Sequence, residues 1–331
     1  MKRALLPLSW LYGAAVAVRN FRYDRGFGVK HLPVPVVSVG NVTLGGSGKT
    51  QVAGAICRVL LARGDPVALL SRGYGRRSDS PFVLVSDGKR LVTSCENAGD
   101  EPMELATDIP SLAVAVGADR VLVGERLVKE LGPHVLVLDD GFQHRRLHRD
   151  LDLVCFDASE ERSSLRLLPV GRLREPLARL DRADAVVVTS GLGSHSLLPS
   201  KPVLRASTRV VGLSRVDSAE ELAGEALRNE PVGVLCGVAR PERIRRSVPA
   251  RIVAFLAKRD HHWWRPEEVS AFSDHAKAQG AKALLTTRKD AVKLADLPQL
   301  SLPLFAIRLE CRIADEMELS RLLERVRLSP R

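Results

Sequence analysis

A chain of 331 residues, 45% of them hydrophobic, is long enough for two domains and too apolar to be disordered throughout. Fifty Lys and Arg against 39 Asp and Glu leave a formal charge of +11, which admits nucleic acid, anionic lipid or a phosphorylated substrate as partner. Aromatic residues make up only 4% and no nucleic-acid motif occurs, so base-stacking platforms are excluded and no nucleic-acid partner is expected. The arginines are spread along the chain, and much of the charge reads equally well as solvated surface. Cys57, Cys95, Cys155, Cys236 and Cys311 lie far apart, with no metal-ligand spacing, and read as buried reduced thiols.

The chain opens with an uncharged run, Ala4 to Val18, between Lys2-Arg3 and Arg19. As a helix it spans about 22 Å, short of the roughly 30 Å hydrocarbon core of a bilayer. Trp10 and Tyr12 suit a membrane interface, and Arg19, Arg22 and Arg25 suit anionic headgroups. Residues 1–30 are therefore expected to form a membrane-associated helix and its link. A core helix and a signal peptide cleaved at Ala15-Val16-Ala17 are the other readings. Against export stands a nucleotide loop that follows soon after.

Val34 to Val39 is a predicted buried strand, and Gln51 to Arg63 a predicted helix. Between them lies Gly40-Asn41-Val42-Thr43-Leu44-Gly45-Gly46-Ser47-Gly48-Lys49-Thr50. In a strand–loop–helix setting the glycines let backbone N–H groups converge on phosphates, and the helix N-terminus adds partial positive charge. Thr43 to Thr50 are the candidate nucleotide-binding residues. Lys49 is expected to reach the β- and γ-phosphates and Thr50 to bind Mg²⁺, which makes ATP and Mg²⁺ the cofactors. Thr43 stands where the usual pattern opens with glycine, and Gly45 and Gly46 supply the flexibility instead.

Further predicted strands are Pro66 to Leu70, ending in Ser71-Arg72-Gly73-Tyr74-Gly75, a short hairpin strand Phe82 to Val85, and Leu112 to Val116, followed by a helix from Asp119 to Leu131. Val135 to Leu138 ends in Asp139-Asp140, and Leu153 to Phe156 and Ala185 to Val188 follow. This rhythm predicts an α/β fold over residues 31–230, a nucleotide-binding parallel sheet with helices on both faces. Its polar clusters fall at strand carboxyl ends, where such sheets bind ligands. Asp139 or Asp140 can hold the phosphate-bridging Mg²⁺, and Gln143, His144, Arg145 and Arg146 add polar groups beside it. From Pro231 a smaller α/β domain, residues 231–331, is expected. Its strands are Val232 to Cys236, Ile252 to Leu256, Ala283 to Thr286 and Leu304 to Ile307, with a helix from Pro266 to Gln279.

These residues together resemble the tetraacyldisaccharide 4′-kinase family, the lipid A 4′-kinases of Gram-negative outer-membrane biosynthesis. The resemblance runs from the first residues to about Leu294. It is carried by Leu-Pro-Leu-Ser-Trp-Leu-Tyr-Gly at the N-terminus, Val39-Gly40-Asn41 before the loop, Leu70 to Gly75, and Gly99-Asp100-Glu101-Pro102. Asp139 to His144, Leu173-Arg174-Glu175-Pro176, Asp260-His261-His262 and Lys289-Asp290-Ala291-Val292-Lys293 complete it. Gln51 stands where the family commonly has proline and Arg288 where it commonly has glutamate, and Ser163 to Arg166 lack the usual Asn-Gly.

The resemblance implies transfer of the ATP γ-phosphate to the 4′-hydroxyl of a tetraacylated glucosamine disaccharide 1-phosphate, at the cytoplasmic face of the inner membrane, with no obligate protein partner. It makes Asp100 the base for the acceptor hydroxyl, although spacing alone reads Asp100 as an ordinary helix cap. It makes His261 the partner of Asp100, otherwise a packing residue beside Trp263-Trp264. Lys49 completes the catalytic set. Arg72, Tyr74, Arg120, Gln143 and Arg174 are the candidates for holding substrate, since an arginine fork suits phosphate. Glu175 is placed near the site as a further magnesium-site acid or as an acid that supports the metal's ligands. A His261 that reaches Asp100 puts the site in a cleft between two domains. Two rivals are weaker. A partitioning-type switch ATPase favours a lysine early in the loop, absent here, and a GTP-driven metal-delivery protein wants a Cys/His cluster, also absent.

Overall fold

The computed structural model describes residues 5–191, 200–294 and 299–327, so Lys2, Arg3 and Ala4 of the expected N-terminal helix lie outside the described residues. Helix α1 (Leu6–Asp24) precedes strand β1 (Val36–Asn41), whose six residues are all buried. The phosphate-loop candidate leads into α2 (Lys49–Ala62), whose N-cap Gly48 sits at φ 78°, the left-handed region a Cβ disfavours. There follow β2 (Val67–Ser71), β3 (Val83–Asp87), α3 (Cys95–Ala98), α4 (Asp100–Asp108), β4 (Ala113–Val116) and α5 (Arg120–Leu131). The Asp119 carboxylate caps α5 by accepting from the N–H groups of Val121 and Leu122. Strands β5 (Val135–Asp139), β6 (Leu151–Asp157) and β7 (Ala185–Ser190) complete the first half. The second half holds β8 (Val203–Arg215), β9 (Glu221–Ala223), β10 (Pro231–Gly237), α6 (Pro241–Ser247) and β11 (Arg251–Lys258). It closes with α7 (Pro266–Ala278), β12 (Ala283–Thr287), α8 (Arg288–Ala291), β13 (Leu304–Ile313) and α9 (Glu316–Arg327).

Among the described residues the strands join in one sheet, ordered β11-β10-β12-β13-β8-β7-β6-β1-β5-β2-β4-β3, with β9 on β8. The β7-β6-β1-β5-β2-β4 run is parallel throughout, and only β3 lies antiparallel at its edge. These strands are buried on both faces, which is why they read as continuous Val/Leu runs rather than as alternating ones. One face packs Val52, Ile56 and Leu60 of α2 against Val37, Val137 and Leu153. The other packs Val121, Val123 and Leu127 of α5 against Val36, Leu70 and Leu136.

Two elements bear on the expected boundary at residue 231. Strand β8 serves both halves: Val203 to Arg205 pair in parallel with β7, and the rest pairs antiparallel with β13. Helix α9 belongs to the first core, because Leu319, Leu322, Leu323 and Val326 are buried with the α2 face. Strand β13 also runs to Ile313, six residues past the predicted end. Strand β8 escapes a periodicity reading because Arg, Ser and Thr fill much of its half-exposed length.

Helix α1 is not a core helix. Only Ser9, Val16 and Asn20 are buried, while Leu8, Trp10, Leu11, Val18 and Phe21 are each more than half exposed. Polar contacts hold it down: Ser9 Oγ donates to the Leu167 carbonyl (3.0 Å) and Tyr12 Oη to the Arg174 carbonyl (2.8 Å). No helix among the described residues is long and apolar enough to cross a membrane.

Candidate active site

The glycine loop leaves the carboxyl end of β1 and is braced on both sides. Asn41 Nδ2 donates to Ser47 Oγ (2.6 Å), and Thr189 Oγ1 on β7 donates to the Ser47 carbonyl (2.8 Å). Thr43 is buried and bridges to Leu173, and the Leu44 N–H donates to the Arg172 carbonyl (2.7 Å). Gly45 adopts φ 100°, a turn that the missing Cβ permits.

Beside the loop, β5 ends in Asp139. Thr50 Oγ1 lies 3.5 and 3.4 Å from the two Asp139 oxygens, and Ser71 Oγ at the end of β2 lies 3.4 Å away. Burial raises the Asp139 pKa, with Glu101 and Asp140 pushing the same way and Lys49 opposing. An acid held out of water this way gains from a cation, and hydroxyl and carboxylate oxygens are the hard donors Mg²⁺ takes. Among the described residues no group of three or more His, Cys, Asp or Glu is arranged as a metal cage.

Asp140 faces elsewhere. Its φ is 55°, an uncommon conformation for a non-glycine residue, and its oxygens accept from Arg174 (2.7 and 3.1 Å). Burial would raise its pKa, but Lys49 and Arg174 outweigh this and hold it low. Lys49 shows the mirror balance: burial lowers its pKa, and Asp140, Glu101 and Asp139 together raise it, so it stays charged.

The second lobe closes the other wall. His261 Nδ1 lies 2.9 and 3.0 Å from the Asp100 oxygens, with His261 at φ 59°. A carboxylate accepts, so Nδ1 carries the proton, and the Nε2 lone pair faces Lys289 Nζ at 3.4 Å. Burial raises the Asp100 pKa, but the His261 hydrogen bond, Lys289 and Lys293 bring it below the ordinary value. Asp100 is not the cap. Gly99 occupies the N-cap of α4 and Asp100 is its first residue, its Oδ1 accepting from the Glu101 N–H (3.0 Å). Glu101 links the two walls: Lys289 Nζ donates to its Oε1 (3.3 Å) and Thr50 Oγ1 to its Oε2 (3.4 Å).

The remaining candidates divide. Tyr74 is exposed, its ring 4.9 Å from that of His261, and Arg72 is exposed beside it. Arg120 is buried with Nε unpartnered, and Gln143 donates to the Asn41 carbonyl (2.9 Å) while its Oε1 stays unpartnered. Leu44 is exposed and offers the loop only its backbone. Glu175, the further acid expected near the magnesium site, is engaged by other side chains. Although Arg174 faces Asp140, Glu175 is fully buried, and both its oxygens are taken by Arg182 (2.7 and 3.1 Å), Asn20 (2.9 Å) and Arg19 (3.4 Å). It ties α1 to the first lobe and has no free lone pairs aimed at Mg²⁺.

Sequence reasoning assigned no role to Glu101, Ser71, Lys289 or Lys293. Lys293 Nζ reaches Asp100 Oδ2 at 3.3 Å. The signal was present in the spacing of Lys289 and Lys293, four apart and so on one helical face. Which acid they would meet depended on the fold.

A glycine loop with Lys49, Thr50 and Asp139 thus stands close to a carboxylate–imidazole pair, Asp100 and His261, that the second lobe completes. This is the arrangement of a phosphoryl-transfer enzyme built on a phosphate loop. The family model described as "Tetraacyldisaccharide-1-P 4'-kinase" matches residues 1–327. The chain belongs to this family. It is 41% identical to the tetraacyldisaccharide 4′-kinase of Geobacter sulfurreducens, over 96% of this chain and 91% of that protein. It is 36% identical to that of Syntrophus aciditrophicus, over 95% and 90%. The crystal structure of the "apo" form of LpxK from Aquifex aeolicus in complex with ATP is similar at TM-score 0.80 and 34% identity, covering 98% of this chain and 99% of that one.

Proposed function

We propose a division of labour for the reaction that family membership assigns, phosphorylation of the 4′-hydroxyl of the lipid A disaccharide precursor by ATP. The observation that carries it is the Asp100–His261 contact across the cleft from Lys49 and Thr50. The loop N–H groups and Lys49 hold the phosphates, with Lys49 neutralising charge on the transferred group. Thr50 and Asp139 would hold Mg²⁺, which would supply neutralisation of phosphate charge when bound. Asp100 accepts the hydroxyl proton; its low pKa keeps it ionised, and His261 fixes the carboxylate through Nδ1–H. Lys289 and Lys293 hold this pair from the second lobe, so base and nucleotide meet only when the lobes are together, which also limits loss of ATP to water.

Arg72, Tyr74 and Arg120 receive the disaccharide and its phosphate; Tyr74 lies against His261, and Arg120 is within electrostatic reach of Asp139, Asp140 and Arg72. Arg174 acts on the phosphates through Asp140 and Asn41. The exposed apolar side chains of α1 lie on an anionic lipid surface, the cytoplasmic face of the inner membrane, and hold the site near its acylated substrate.

The test is ATP turnover with and without the lipid disaccharide. Turnover should depend on the lipid, and Lys49→Ala should lose roughly 10²-fold or more. Lipid-independent ATPase activity, or a folded Lys49→Ala protein with near-normal turnover, defeats this reading.

A further inference from the structure

On the side of the phosphate loop away from Asp139 and Asp100, five charged residues form a continuous ionic chain. Asp157 ends β6 and Glu160 follows it; their side chains are 0% and 5% exposed. Asp157 pairs with both Arg240 and Arg243, and Glu160 pairs with Arg240 and with Arg172 (3.0 Å). The two outer arginines end on the loop itself. Arg172 Nε donates to the Leu44 carbonyl (3.0 Å), and Arg243 Nη1 lies 3.4 Å from the Gly46 carbonyl. Between them a side chain at Gly45 would run into the Arg172 guanidinium, so the glycine is needed for this approach as well as for its turn. Arg172 comes from the first lobe, whereas Arg240 caps α6 and Arg243 lies on it, in the second.

A phosphate loop works by aiming its N–H groups into one concavity. Each peptide plane that turns an N–H inward turns a carbonyl outward. Holding the Leu44 and Gly46 carbonyls from outside therefore restrains the planes that serve the phosphates, and a glycine-rich loop otherwise has many alternatives. Three guanidiniums against two carboxylates also leave one positive charge next to a polyanionic ligand.

We infer that Arg172 and Arg243 are positioning residues for ATP, and that through Arg240 and Arg243 the second lobe shapes the phosphate loop as well as supplying His261. The inference rests on the loop being the ATP site. ATP affinity is then set partly by lobe docking, before any acceptor arrives.

The experiment uses the full chain with Arg243→Gln, Arg243→Lys and Arg172→Gln. Three quantities are measured: ATP affinity by calorimetry with Mg²⁺, amide exchange at residues 44–48 without nucleotide, and steady-state kinetics. Arg243→Gln should weaken ATP about tenfold, the loss of one charged hydrogen bond, and speed exchange across the loop. The effect should fall on KM for ATP more than on kcat. Arg243→Lys should recover part of both, since an ammonium still reaches a carbonyl. Unchanged affinity and exchange in Arg243→Gln overturns the inference, as does a lower melting temperature with ATP affinity intact, which would make the chain of charges mere lobe adhesive. Lys49→Ala separates the levels. If it weakens ATP while Arg243→Gln does not, only this inference fails. If neither does, the ATP-site assignment falls with it.

Discussion

The residue that most repays attention is Asp100, because its carboxylate has two jobs. It must be ionised to accept a proton and oriented to meet one hydroxyl. Burial works against ionisation, and the His261 hydrogen bond, with the charges of Lys289 and Lys293 behind it, more than offsets that and holds the carboxyl below its ordinary pKa. Removing His261 should therefore raise the Asp100 pKa and move the acid limb of the pH–turnover profile upward. The sign follows from a depressed folded value: the ionised form is favoured above it and lost as pH falls through it. His261 and Asp100 act as one unit, so the double substitution Asp100→Ala with His261→Ala should cost much less than the product of the single losses. Steady-state turnover at saturating ATP and lipid across pH measures both. Fully multiplicative losses with an unmoved acid limb would break the pair. Among the described residues, Asp140 and His261 are also two of the three non-glycine residues at positive φ, at 55° and 59°, so strain that costs about 1–3 kcal/mol each is concentrated at the site.

Among elements, α1 is the one whose reading changed most. The sequence showed an uncharged run with interfacial aromatics and flanking arginines, and the exposure of Leu8, Trp10, Leu11, Val18 and Phe21 accords with a lipid-facing helix. The sequence did not show that its polar face is bound into the lobe. Glu175 holds Asn20 and Arg19 there, and Arg145 donates to the Asn20 carbonyl (3.1 Å) and to Asp24 (2.7 Å). Deleting residues 1–25 would strip partners from a fully buried carboxylate next in sequence to Arg174, and so would damage the site as well as any membrane contact. Trp10→Asp with Leu11→Asp is the cleaner change, since both side chains are about 70% exposed and leave Glu175 alone. Binding to anionic vesicles should fall about tenfold or more, while the melting temperature and ATP affinity stay put. Equal vesicle binding by both proteins would end the membrane assignment for this helix.

At the scale of the whole molecule, the chain returns at its end to the lobe it built first. Strand β13 runs antiparallel to β8 back toward β7, and α9 then lays Leu319, Leu322, Leu323 and Val326, each at most 3% exposed, onto the α2 face. Burial of such side chains is worth about 1.5–3 kcal/mol each, a sum comparable with the whole stability of a typical domain. Ending the chain after Asp315 should therefore loosen the nucleotide lobe first. Amide exchange should rise in α2 and β6 before it rises in β10 and β12, and ATP affinity should fall. Exchange confined to the second lobe would support the boundary at residue 231.

The sequence by itself determined the loop, the helix behind it and the parallel strands of the first lobe. Those features are local: a buried parallel strand needs an unbroken apolar run, and a phosphate loop needs its glycines, Lys49 and Thr50 consecutive. It also offered Asp100 and His261, though only through resemblance to a family, since spacing alone favoured a cap and a packing residue. What the tertiary structure decided is everything that depends on two segments meeting. It made Glu175 an anchor for α1, with Arg174 beside it turned toward Asp140. It brought Lys289 and Lys293 onto Glu101 and Asp100, set Arg243 against Gly46, and made β8 common to both lobes. Side chains separated by scores of residues are paired by the sheet order and the lobe contact, and no local pattern in the chain encodes those distances.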